Sequence, residues 1–111
     1  MLSLPWYIYV LQFVSGLFLA NGVPHFVQGI SGHWFQTPFA SPPGVGESSP
    51  TVNVLWGFFN LVIGYLLVWR VGAFDLRDTA DVVALGLGAF LISLFAARHF
   101  GRFNGGNTPS A

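Results

Sequence analysis

Three stretches of the chain, residues 4–20, 52–69 and 82–97, run 16 to 18 residues without one charged side chain. A straight helix of that length covers roughly 24–27 Å at about 1.5 Å per residue. A bilayer's hydrocarbon core is about 30 Å thick, and flanking Arg and aromatic residues reach across the small difference. The rest of the composition agrees. Hydrophobic residues make up 53% of the chain and charged ones 7%, where a soluble domain has about a quarter charged. Four arginines, no lysine and four acids are too few to cover a water-facing surface or to form a nucleic-acid patch. Twelve Phe and four Trp exclude disorder.

The expected fold is therefore all-α: an integral membrane protein with three transmembrane helices in one domain, residues 1–111. The spans are about 4–22, 51–70 and 80–99. A long structured loop, 23–50, joins the first two, and a flexible tail covers 103–111. The first span lacks the basic start and the small-residue cleavage pattern of a signal peptide. Ser48, Ser49 and Pro50 predict the start of span two. Asp78 or Thr79 caps span three, with Asp81 in its first turn and Gly101 as its stop. Trp6, Tyr7, Tyr9, Tyr65 and Trp69 mark one membrane face, called side A here. Trp34, Trp56 and Phe100 mark the other, side B. Arg70 and Arg77 on side A balance Arg98 and Arg102 on side B, so the charge count does not orient the chain. The absence of Lys and Arg from the first loop favours its export and a cytoplasmic N-terminus. A bacterial inner membrane is the expected location.

Within the spans, small and polar residues recur at helical spacing. Span two carries Asn53, Gly57, Asn60 and Gly64. Span one carries Gln12, Gly16 and Ala20. Span three carries Ala84 with Gly88, and Ala89, Ser93 and Ala97. Such stripes let helix backbones approach closely in lipid. They leave broad Phe, Leu and Val faces for lipid, a second copy or a partner subunit, and Gln12 needs a partner inside the bundle. No ionisable side chain lies mid-span, which argues against a proton-coupled pump or a charged channel filter.

Three spans put the first loop and the end of span three on one side, which gathers His25, His33 and His99 at side B. Asn21, Gln28, Asn53, Glu47 and Arg98 lie at the same level, and Asn60 lies deeper. If the first helix continues past Pro24, Asn21, His25 and Gln28 share a face. Histidine is the commonest metal ligand and also ligates haem. However, His25 and His33 lack the spacing of a compact helical ligand pair, so the three histidines are weak metal candidates. No nucleophile elbow or carboxylate pair points to catalysis.

The segments "NGVPHFVQGISG", "TPFASPPGVGESSP" and "NVLWGFFNL" resemble those of small bacterial integral membrane proteins. The Gly- and His-bearing end of span one is similar to the DoxX-like helical-bundle proteins. That likeness covers about a quarter of the chain, and those bundles have four helices, so it implies no active site here. The leading expectation is a non-catalytic packing or accessory subunit of a homo-oligomer or larger membrane complex. The alternatives are a binder of a small hydrophobic ligand (quinone, pigment or lipid) and a histidine metal or haem site at one membrane face. No cofactor is required by the sequence, and the expected neighbours are membrane lipid and a second copy or other membrane subunits.

Overall fold

Side chains that would line the interior of a soluble protein lie outside this one. Phe58, Phe90, Leu91 and Leu94 are exposed, whereas Gln12, Ser15, His25, Asn53, Asn60 and Asp81 are almost completely buried. Lipid solvates the apolar surface, and polar groups avoid it by pairing inside. This inverted pattern belongs to a computed structural model in which residues 6–107 are described. Helix α1 spans Trp6–Ile30, α2 spans Pro50–Tyr65 and continues as a π-helical segment, Leu66–Val71, and α3 spans Thr79–Asn104. All three are long and apolar enough to cross a membrane. The chain is an all-α, multi-pass membrane protein.

Helix α1 is the middle element. Both α2 and α3 pack against it far more than against each other. Glycines set these approaches. A Cβ on Gly57 would lie 2.5 Å from the Phe26 nitrogen, and one on Gly29 would lie 2.6 Å from the Val54 nitrogen. On the other flank, the backbone at Gly16 meets Leu85 and Ala89, and Gly88 meets the Phe13 carbonyl. All four residues of the span-two stripe, Asn53, Gly57, Asn60 and Gly64, are buried as expected. The span-three stripe is only partly used: Gly88 is buried and Ala84 and Ala89 half-buried, but Ser93 and Ala97 are exposed. A strict repeat of four drifts about 40° per step on a helix of 3.6 residues per turn. By Ser93 and Ala97 it has left the face that packs.

Two boundaries also differ from expectation. Helix α1 does not end near residue 22 but runs through Pro24 to Ile30. Its last turns are held because Gly29 lies against the backbone of Pro50 and Val54. The loop is therefore 31–49, shorter than the expected 23–50. Gly101 does not stop α3, which continues to Asn104 and closes at Gly105, φ +97°. Of the expected flexible tail, 103 and 104 are helical, and 108–111 lie outside the described residues, as do residues 4 and 5 of span one.

The caps follow the sequence. Ser49 accepts from the Val52 amide at 3.3 Å, with Pro50 opening α2, and Asp78 accepts from the Ala80 amide at 3.0 Å. Gln12 finds its partner: Nε2 donates to the Gly72 carbonyl at 3.0 Å, tying the α2–α3 turn to α1. Asp81 does more than face a helix dipole. It is buried and accepts from the Asp75 amide at 2.9 Å.

The loop carries a small antiparallel pair, β1 Phe35–Gln36 and β2 Glu47–Ser48, in the register Phe35–Ser48 and Gln36–Glu47. Asn104 Nδ2 donates to Gln36 Oε1 at 3.0 Å, fastening this pair to the end of α3. Since α1 and α3 run in the same direction, single cysteines at Ser41 and Asn107, in a chain that has none, should react with a membrane-impermeant maleimide from the same side. Labelling from opposite sides would refute three spans.

Candidate functional site

The end of α1, the start of α2, the end of α3 and the loop converge at side B. Asn53 organises the junction. Its Nδ2 faces the carbonyls of Phe35, Ser48 and Ser49 at 3.0–3.1 Å, which turns Oδ1 toward His25 Nδ1 at 3.0 Å. An amide oxygen only accepts, so His25 carries its proton on Nδ1 and a lone pair on Nε2. The ring sits among Phe35, Phe100 and Trp56, with centroids 5.4, 5.7 and 6.4 Å away. One helical turn below, Asn21 Nδ2 donates to Asn60 Oδ1 at 3.1 Å, and Asn60 Nδ2 donates to the Trp56 carbonyl at 2.8 Å.

His99 approaches from α3. Its Nε2 donates to the Gly44 carbonyl at 2.7 Å, and its ring stacks on Phe95 at 5.5 Å. Gly44 has φ +75°, a conformation that side chains disfavour, so glycine is what presents that carbonyl. With Nε2 donating, the lone pair of His99 is on Nδ1.

His25 and His99 border one pocket of about 250 Å³, together with Asn21, Trp56, Phe100 and loop residues including Thr37. A second hollow of about 270 Å³ lies between the outer helices, lined by Leu17, Phe18, Asn21, Asn60 and Ile92. Asn21 borders both, and each helix contributes residues one or two turns apart to the two spaces. A larger hollow of about 430 Å³ on the lipid-facing side of α2, bounded by Phe39, Leu55 and Phe59, offers almost no polar surface.

The structure thus joins Asn21, His25, Asn53, Asn60 and His99, five of the eight polar candidates. It leaves out the other three. Gln28 turns to His33, whose Nδ1 lies 3.1 Å from Gln28 Oε1 on the exposed surface. Arg98 and Glu47 are exposed. His33 lies beyond Gly32, φ +77°, which turns the chain away from the α1 axis. The three histidines therefore do not form one ligand set, and no group of three His, Asp or Glu gathers among the described residues. Sequence reasoning missed Trp56, Phe95, Phe100, Thr37 and Gly44 as walls of the pocket. Phe95 and His99, one turn apart on α3, were the available signal. Nothing in the Pro-Pro-Gly run announced the Gly44 contact.

Comparison of the chain with protein-family models, with curated proteins and with solved structures gives no match.

Proposed function

We propose that the protein is a non-catalytic binder of a small hydrophobic molecule with a polar head. The head would occupy the side-B pocket and the apolar body the hollow between α2 and α3. One observation carries this reading. Two imidazoles on different helices border the same pocket, and each has one nitrogen engaged by the protein and one with no hydrogen-bond partner among the described residues. Mostly apolar pockets with a few convergent polar groups are the usual form of a ligand site. Trp56, on the same wall, adds a third unmet polar group, since its buried Nε1–H is without an acceptor.

The test is to extract the protein with lipid in a polymer disc and analyse the released small molecules by mass spectrometry. A compound enriched over bulk lipid in the wild type should be lost in a variant that fills the pocket, Thr37→Trp, while the helix content stays unchanged. A wild-type protein carrying only bulk lipid would refute the reading.

The packing or accessory role is a second reading, supported by a different feature. Helix α3 rests mainly on α1, and its Leu87, Phe90, Leu91 and Leu94 are exposed. In this reading a second copy or a partner subunit covers that face. Native mass spectrometry of the same discs reads the stoichiometry, and a strictly monomeric particle would count against it. The proposed setting is the bacterial inner membrane with a cytoplasmic N-terminus. The first loop, without Lys or Arg, is the support for that orientation.

A further inference from the structure

We infer that the side-B pocket selects a neutral head group that donates hydrogen bonds, that is, a hydroxyl-bearing head on a single apolar chain. This rests on the ligand-binding reading above and adds the chemistry of the ligand. Three observations lead to it.

The first is the hydrogen-bonding role of the polar atoms left free on two rings that border the pocket. Asn53 Oδ1 fixes the proton of His25 on Nδ1, and the Gly44 carbonyl fixes the proton of His99 on Nε2. In the neutral rings the two unengaged nitrogens, His25 Nε2 and His99 Nδ1, are therefore acceptors. An occupant that only accepts, such as an ester or a quinone carbonyl, can answer the Trp56 Nε1–H but leaves both imidazole nitrogens unsatisfied. An O–H group satisfies each.

The second is charge. No Arg, Lys, Asp or Glu borders the pocket, and the nearest candidates by sequence, Arg98 and Glu47, are exposed. A phosphate or carboxylate would enter a largely apolar pocket with no Arg or Lys beside it, at a desolvation cost.

The third is the continuation. The hollow lined by Leu17, Phe18 and Ile92 adjoins the pocket at Asn21. From His25 down to Leu17 the α1 axis falls by about 12 Å at 1.5 Å per residue. This gives one apolar chain a path toward mid-membrane between helices that barely touch each other.

Glycerol-type and phenol-type heads share this chemistry, so the experiment separates them. The full-length protein is placed in phospholipid nanodiscs, because sugar detergents are themselves neutral hydroxylated amphiphiles. Equilibrium binding is measured for 1-decanoylglycerol, decylhydroquinone under reductant, decylbenzoquinone and decyl phosphate. At least one donor-bearing probe should bind about tenfold more tightly than decylbenzoquinone and decyl phosphate, as expected for hydrogen bonds that would otherwise be unmade. The tighter of the two donors identifies the head type. Decylhydroquinone and decylbenzoquinone share one skeleton and differ by two electrons and the two hydroxyl hydrogens, so the histidine dependence of their ratio reads donation. That ratio should fall toward one in His25→Phe and in His99→Gln and stay unchanged in His33→Phe. Equal binding of all four probes to the wild type, or preference for the quinone or the phosphate, overturns the head-group assignment and leaves the pocket as a ligand site. Binding of none, with only bulk lipid in the extracted particle, overturns both.

Discussion

Replacing Asn53 with Ala should be among the most damaging single changes in the chain, with a loss of about 3–5 kcal/mol. The side chain is fully buried, and its amide joins four elements. Nδ2 faces the carbonyls of Phe35 in β1, Ser48 in β2 and Ser49 before α2, and Oδ1 receives His25 of α1. Truncation removes the side-chain partner of the His25 ring N–H and of the Phe35 and Ser48 carbonyls, while the Ser49 carbonyl keeps the backbone bond from the residue-53 amide; each group left unpaired costs about 1–3 kcal/mol where water does not reach. Asn53→Asp is the sharper control. It keeps the shape and the acceptor toward His25, but it turns a second oxygen toward three carbonyl oxygens. It should be at least as damaging as Ala. Unfolding in mixed micelles with increasing sodium dodecyl sulfate, followed by far-UV circular dichroism, measures both. An Asn53→Asp protein as stable as the wild type would mean that the amide is not oriented as described, and the proton assignment on His25 would fall with it.

The same residue shows how far the sequence could be read. Asn53 was visible because it lies in a stripe spaced four, three and four, which follows a helix of 3.6 residues per turn without drifting. All four members are buried. The three membrane helices were legible from the length of the uncharged runs, and the caps at Ser49 and Asp78 from local hydrogen bonding. What was not legible came from tertiary contact. Pro24 reads as a boundary, yet α1 continues because Gly29 meets the start of α2. Nothing in Leu66–Val71 signals a π-helical turn, which ends where Gln12 takes the Gly72 carbonyl. Topology alone places the histidines at one level, and His25 and His99 border one pocket. Topology did not separate them from His33, because a loop's path depends on turns such as Gly32 that spacing does not encode. The polar contacts of His25 and His99 with Asn53 and Gly44 are long-range, and periodicity carries no information on them.

The second large effect is expected at Gly88, and a neighbouring glycine provides the control. Gly88 lies against the Phe13 carbonyl so closely that a Cβ has no room, whereas nothing lies within 4 Å of a Cβ on Gly86. Both are interior residues of α3, two positions apart, in the same apolar run. Propensity alone favours Ala at either site, by up to about 1 kcal/mol in water. Gly86→Ala should therefore be neutral or slightly stabilising. Gly88→Ala should instead force α3 away from α1, costing about 1–3 kcal/mol from overpacking, and Gly88→Leu should cost more. Helix α3 has no comparable second support, since it packs chiefly on α1, so the displaced helix has little else to hold it. The displacement would also open the side-B pocket, because Phe95, His99 and Phe100 travel with α3. Gly57→Leu should act in the same way on the other flank, and Phe58→Ala, on an exposed side chain, should have little effect. The detergent titration ranks all five variants. If Gly86→Ala and Gly88→Ala shift the unfolding midpoint equally, the α1–α3 approach is not set by Gly88, and the packing of α3 on α1 is wrong.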